Sequence, residues 1–215
     1  MKTILCFGDS NTWGSAMRPG DDQRYIPAER WPGILGARLG DGWTVIAEGL
    51  PGRTTVHADP IEGEWMNGAA YLMPCLKSHR PLDAVAIMLG TNDLKQRFGV
   101  PPGDIAGGVA VLLDIVQRSE SGPDGGVPKI LVICPPLVLD THGENTDLAE
   151  MFAGGYAKSL RLAPFYAAVA EEYGAGYLNA GDVIRSSAFD GIHLDKDAQA
   201  ALGEAVAKTI AKLGW

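Results

Sequence analysis

The chain predicts a three-layer α/β/α sandwich around a five-stranded and mainly parallel sheet. Two observations carry that expectation. Short apolar runs alternate with helical patterns along the whole length, the mark of stacked β-α units. Most of the runs are continuous rather than alternating, as suits strands covered on both faces. With 215 residues, 46% of them hydrophobic and 20% charged, the chain is long enough for one domain, 1–215, with a full core.

The predicted strands are residues 3–7, 44–47, 84–89, 130–134 and 176–178. Helical patterns lie between them at 30–39, 70–78, 103–118, 148–173 and 196–212. The last is the clearest. Asp195 suits its N-cap, Leu202, Val206, Ile210 and Leu213 form one apolar stripe, and Gly214 suits its end. Three loops, 18–29, 55–67 and 137–145, are longer than a compact domain needs, and loops of that kind are often functional. Residues 119–127, rich in Gly and Ser, read as a solvent-exposed αβ connection.

The formal net charge is −8 with no Lys/Arg-rich block, which excludes nucleic acid and anionic membrane surfaces as expected partners. No apolar run is long enough to span a bilayer. Met1-Lys2 leads straight into a strand-like run without a small-residue cleavage pattern. Cys6, Cys75 and Cys134 are odd in number and widely spaced, so buried reduced thiols and a cytoplasmic address are expected, with no metal.

The first strand ends in Gly8-Asp9-Ser10. Open α/β sheets place their ligands at the C-terminal ends of strands, so Ser10 is a candidate nucleophile. A serine hydroxyl needs a base, a group that orients the base, and donors for the oxyanion. Among His57, His79, His142 and His193, the last stands out, because Asp190 precedes it by three residues with Gly191 between. One turn then brings a carboxylate to Nδ1 while Nε2 faces outward. Read alone, the same spacing also suits a plain turn before the final helix. His57 and His142 fall in long polar loops and read as surface residues, and His79 at a helix end reads as a cation facing the helix dipole. Asn92, in Gly90-Thr91-Asn92-Asp93 after the third strand, can donate from its side-chain amide to an oxyanion, although Asn is also common in turns. Gly52, after the second strand, leaves its backbone N–H open to close approach.

These four pieces, in this order, resemble the GDSL/SGNH hydrolase superfamily, whose sequence blocks carry Ser, Gly, Asn and His. The resemblance spans residues 8–193. One departure is Asn11, where many members carry an apolar residue; it is expected to alter the polarity of the pocket mouth. Cys6-Phe7-Gly8-Asp9-Ser10, Thr12-Trp13-Gly14, Glu48-Gly49-Leu50, Arg53-Thr54-Thr55, Asn67-Gly68-Ala69, Tyr71-Leu72 and Met88 to Asp93 look like the small bacterial aryl esterase/acyltransferase branch. That resemblance implies cleavage of short-chain acyl esters, with acyl transfer to alcohols or hydrogen peroxide in some members, no cofactor, and a homo-oligomer, octamers being known. It further implies Ser10, Asp190 and His193 as the triad and Ser10 N–H, Gly52 N–H and Asn92 Nδ2 as the oxyanion hole.

Around that site, Trp13 either walls the pocket or fills the core. Ile192 is expected to pack close to the acyl group. Phe152 either reaches a channel entrance, of its own site or a neighbour's, or belongs to the core. A tight apolar pocket favours acetyl over long acyl chains. The rivals are a carbohydrate acetylesterase or a lysophospholipase/thioesterase on the same site. Two further ones are a metal-dependent phosphoesterase using Asp9, Asp93, Asp190 and His193, and a binding protein that keeps the fold without catalysis.

Overall fold

The computed structural model describes residues 1–17, 20, 23–141, 143 and 145–215. Its strands are β1 (Lys2–Gly8), β2 (Trp43–Gly49), β3 (Ala84–Met88), β4 (Lys129–Cys134) and β5 (Gly176–Asn179). They pair in parallel in the order β2-β1-β3-β4-β5. The helices are α1 (Ser10–Trp13), α2 (Trp31–Leu39), α3 (Gly68–His79), α4 (Pro102–Arg118), α5 (Thr146–Met151), α6 (Gly155–Ser159), α7 (Leu162–Glu172) and α8 (Lys196–Lys212). All five expected strands are present, their ends moved by at most two residues.

The pleat sorts the apolar residues into two cores. Ile4 and Cys6 of β1, Ala84, Ala86 and Met88 of β3, and Leu131 and Ile133 of β4 pack with Trp31 and Leu35 of α2 and Leu202, Val206 and Ile210 of α8. The alternate residues Leu5, Phe7, Val85, Ile87, Ile130 and Val132 pack with α3, α4 and α7. The three layers follow directly: a sheet apolar on both faces needs a helical cover on each.

The expected single helix at 148–173 is three pieces, α5, α6 and α7. Gly154 sits at φ +75°, in left-handed backbone that ends one helical path and caps the next. The apolar pattern runs through the break, so periodicity alone could not locate it. In α8, Leu202, Val206 and Ile210 are buried, whereas Leu213 lies past the helix end and is 40% exposed. Asp195 occupies the N-cap position, but its carboxylate accepts from Ser187 Oγ at 3.0 Å and makes no cap bond to its own helix. The connection at 119–127 is exposed at Glu120 and from Pro123 to Val127; Ser119 and Ser121 are buried, and the Ser121 carbonyl accepts from Leu82 N at 2.8 Å.

The chain runs from β1 outward to β2, then returns to β3 on the other side of β1 and continues outward through β4 and β5. The direction of winding therefore reverses between β1 and β3. Crevices that hold ligands open at the C-terminal ends of the strands on either side of such a reversal. Ser10 follows β1 and Asn92 follows β3, so both stand at that crevice.

Leu202 lies in the α8 stripe with no exposure, and Leu213 is nearly half exposed. Leu202→Ala is expected to cost roughly 2–5 kcal/mol in urea unfolding and Leu213→Ala under about 1.5 kcal/mol. Equal losses would show that α8 does not pack along this stripe.

Candidate active site

The turn after β1 is held by its own aspartate. Asp9 is the N-cap of α1, and its Oδ1 accepts from Asn11 N at 2.9 Å. Ser10 opens the helix, so its N–H has no helical partner. Asp9 is fully buried, and that burial pushes its carboxyl up to about 6, against the Asn11 N–H and the charges of His193 and Arg53. Asn11, next to Ser10, bonds to the backbone on both sides of His193 and so brings the two turns together.

Asp190 and His193 form a close pair. Asp190 Oδ2 stands 2.7 Å from His193 Nδ1, and Asp190 Oδ1 accepts from the backbone N–H groups of Ile192 and His193, each at 2.9 Å. Burial raises the carboxyl, but the His193 ring bond, its charge and the two backbone donors outweigh burial and hold it below the usual carboxylate range. An ionised Asp190 favours the tautomer with the proton on Nδ1, in which Nε2 carries a lone pair. The Ser10 hydroxyl, 5% exposed with its residue, makes no hydrogen bond to a described residue, His193 included. Such bonds commonly tighten only when substrate is bound.

The loop after β2 is tied to both neighbouring strand ends. The Gly8 carbonyl accepts from Leu50 N at 3.1 Å and from Arg53 Nη1 at 2.8 Å. Asn92 Nδ2 donates to the Arg53 carbonyl at 3.1 Å, which uses one of its two hydrogens. Asp93 accepts from Thr55 N and, at 2.5 Å, from Thr55 Oγ1. Gly52 sits at φ +85°, and a Cβ there would lie 2.5 Å from Glu62 Oε2. Only glycine satisfies both the backbone and the space. Among the described residues, neither Ser10 N–H nor Gly52 N–H has a protein acceptor. Two backbone donors and one amide hydrogen are thus uncommitted at the crevice.

The surrounding residues divide. Trp13 is half-buried, with the Arg24 guanidinium 4.4 Å from its ring centroid. Ile192 and Phe152 are buried in one apolar cluster that also contains Leu94. Asn11 is 1% exposed, so it is no part of a pocket mouth; its amide bonds instead to the backbone on both sides of His193. His57 is half-buried rather than a surface residue. It stacks on Phe98, and its Nε2 lies 3.9 Å from Asp93 Oδ1. His79 does close α3, and its Nε2 pairs with Glu48 Oε1 at 2.9 Å. His142 lies outside the described residues, as do Arg18, Pro19, Asp21 and Asp22 of the loop at 18–29 and Glu144 of the loop at 137–145.

Two supports of the site had little sequence signal. Arg53 is buried with its guanidinium over the Phe7 ring at 4.2 Å. The Lys95 side chain is 2% exposed, its Nζ 2.6 Å from Glu62 Oε1 and 3.7 Å from Asp59 Oδ2, with Arg97 Nη1 2.9 Å from Asp59 Oδ1. This ion cluster holds Glu62 against Gly52. A lysine in a polar stretch reads as solvated, and only the pairing with two distant acids explains its burial.

The four groups of a metal phosphoesterase do not fit a metal. Asp9 is committed to Asn11 N, Asp93 to Thr55, and Asp190 to His193. Among the described residues, the set of donors that converges within 4.8 Å is Glu48, Cys75 and His79, behind the crevice. There burial pushes the Cys75 thiol up to about 12, and the imidazole is already paired with Glu48. Cys6, Cys75 and Cys134 are free and buried.

Because Asp9 is raised in the folded state, protonation favours the fold, and stability is lost as pH rises from about 4 through about 6. Asp9→Asn keeps the acceptor for Asn11 N without the charge. Relative to the parent, it is expected to gain up to about 3 kcal/mol in urea unfolding between pH 4 and pH 7. A difference that does not change with pH would exclude a buried, raised Asp9.

Comparison with known proteins places the chain by family and fold. The profile of the GDSL-like lipase/acylhydrolase family matches residues 6–201. A carbohydrate acetylesterase from Sinorhizobium meliloti superposes with a TM-score of 0.92 at 41% identity, covering 99% of this chain and 100% of that one. An aryl esterase of M. smegmatis gives 0.91 at 40% identity over 99% and 100%. An arylesterase, described as putative, from Agrobacterium tumefaciens gives 0.86 at 40% identity over 99% of each chain. The comparison with curated proteins returns no match. From its first strand to its last helix, the chain belongs to the GDSL-like lipase/acylhydrolase family.

Proposed function

We propose that this hydrolase cleaves short-chain acyl esters, with Ser10 as nucleophile, His193 as base, Asp190 as its orienter, and Ser10 N–H, Gly52 N–H and Asn92 Nδ2 as oxyanion donors. The observation that carries the reading is the Asp190–His193 pair, set beside a helix-opening serine and three uncommitted donors. His193 Nε2 takes the Ser10 proton as Oγ attacks the ester carbonyl. The imidazolium is stabilised by the ionised Asp190, and the oxyanion gathers the three donors. The alcohol leaves with the proton from His193, and water then attacks the acyl-enzyme by the same route.

Ile192, buried within the Asp190–His193 turn, supports an apolar wall next to the reacting carbonyl and hence a small acyl group. For the alcohol, the aryl ester reading draws on the M. smegmatis relative, and an acetylated carbohydrate is favoured by the S. meliloti one. A homo-oligomer belongs to the same reading, supported by exposed Ile61 and Trp65 on the loop at 55–67. The three free buried thiols support a cytoplasmic address for a single domain.

Ser10→Ala is expected to fall near the uncatalysed rate on p-nitrophenyl acetate, and Asn92→Ala to lose about 10²–10³ in kcat while remaining folded. A fluorophosphonate is expected to label Ser10 in the presence of a chelator. Labelling elsewhere, or parent activity in Ser10→Ala, would remove Ser10 from the mechanism. Turnover of the acetate is expected to exceed that of the octanoate by more than tenfold, and equal rates would exclude a narrow acyl site. An acetylated sugar assayed beside the aryl acetate separates the two alcohols.

A further inference from the structure

Asn11 makes an arrangement of hydrogen bonds that neither the triad nor the oxyanion hole explains. Its Nδ2 donates to the Ile192 carbonyl at 3.2 Å, and its Oδ1 accepts from Leu194 N at 3.1 Å. One side-chain amide therefore holds the peptide groups immediately before and after His193. The same residue is joined to Ser10 by a peptide bond, and 181 and 183 positions separate it from its two partners. Its own backbone is fixed at both ends: the N–H donates to Asp9 Oδ1 at 2.9 Å, and the carbonyl accepts from Gln199 Nε2 at 3.0 Å. Gln199 Oε1 in turn accepts from Trp31 N at 2.8 Å. Asn11 and Gln199 are buried.

We propose that Asn11 is a positioning residue that fixes the distance and direction between the Ser10 hydroxyl and the His193 imidazole. This rests on the assignment of Ser10 and His193 as nucleophile and base. The Asp190–His193 turn is otherwise stabilised from within and from its own side of the molecule. Ser187 N donates to the His193 carbonyl at 2.7 Å, Gly191 N to the Ser187 carbonyl at 2.8 Å, and Leu139 N to the Gly191 carbonyl at 2.8 Å. Those bonds preserve the shape of the turn, and Ile192 and Leu194 pack it into the two cores, while Asn11 ties it to the segment that carries Ser10. In this chain an apolar side chain at position 11 would take those partners from the Ile192 carbonyl and the Leu194 N–H in a buried place, and the turn would shift to reach others. Proton transfer from serine to imidazole depends steeply on such shifts. A displacement of about 1 Å can cost on the order of 10²-fold in rate.

The test is Asn11→Leu beside Leu202→Ala, a core substitution away from the crevice that supplies a comparable loss of Tm. Asn11→Leu is expected to lose about 10–100-fold in kcat on p-nitrophenyl acetate with KM within about twofold. The rate of fluorophosphonate labelling at Ser10 should fall in step, while Leu202→Ala retains kcat. Should Asn11→Leu fail to fold, Asn11→Ser keeps a polar group with room for water and is expected to lose about 3–10-fold by the same criteria. Without substrate, the His193 Nδ1–H proton resonance of the parent is expected to shift or broaden in either variant. A folded variant with parent kcat and an unchanged resonance, or a loss no larger than that of Leu202→Ala, overturns the proposal. If the parent itself neither hydrolyses the ester nor labels at Ser10, the catalytic assignment fails, and the resonance alone then judges the role of Asn11.

Discussion

The end of β1 is the constraint on which the site depends. The Gly8 carbonyl accepts from Leu50 N and from Arg53 Nη1, and the next two residues place the buried Asp9 cap and the Ser10 hydroxyl. β1 lies between β2 and β3 in register, so its terminus is fixed by two ladders before any loop is added. The Gly52 loop reaches β1 through Arg53, Asn92 locks that loop from the end of β3, and Asn11 of α1 reaches the His193 turn. Each candidate block is thus tied, directly or through one intermediate, to the segment at the end of β1.

The two aspartates of the site show how environment separates identical side chains. Asp9 lies fully buried with one backbone donor, and desolvation dominates. Asp190 is buried too, but an imidazole and two backbone N–H groups compensate its charge. The second carboxylate can therefore stay ionised and face an imidazolium, while the first serves as a cap. Behind Gly52, Glu62 and Met66 occupy the space that a side chain there would need, and Lys95 and Arg97 pair with Glu62 to hold it in place.

Much of the architecture was legible because parallel strands buried on both faces read as plain apolar runs. β1, β3 and β4 are such runs, and their ends shift by no more than the ladders extend. The candidate blocks at Ser10, Gly52 and Asn92 stood out because they follow strands β1, β2 and β3, where ligand crevices open, and the Asp190–His193 block because of its own spacing. What was hidden has a common physical cause: it depends on partners far apart in the chain. Lys95 looks solvated until Asp59 and Glu62 close over it. Asn11 looks like a pocket residue until Ile192 and Leu194 arrive beside it. The break at Gly154 was hidden for another reason, since the apolar stripe continues across it and only the backbone angle changes.

Ser10 and His193, the proposed nucleophile and base, stand far apart in the chain, and the Asn11 amide that ties their segments together bridges 181 residues. During synthesis β1, β2 and β3 can pair as soon as they clear the ribosome, because β1 meets neighbours on both sides early. The proposed oxyanion donors lie on that partial sheet. The turn that carries His193 does not, for it and α8 follow the whole sheet in sequence, and contacts of such long sequence separation form late. A chain folded only as far as β5 would therefore hold Ser10 without the imidazole proposed as its base. On the proposed mechanism, chemistry begins only when the segment after β5 docks.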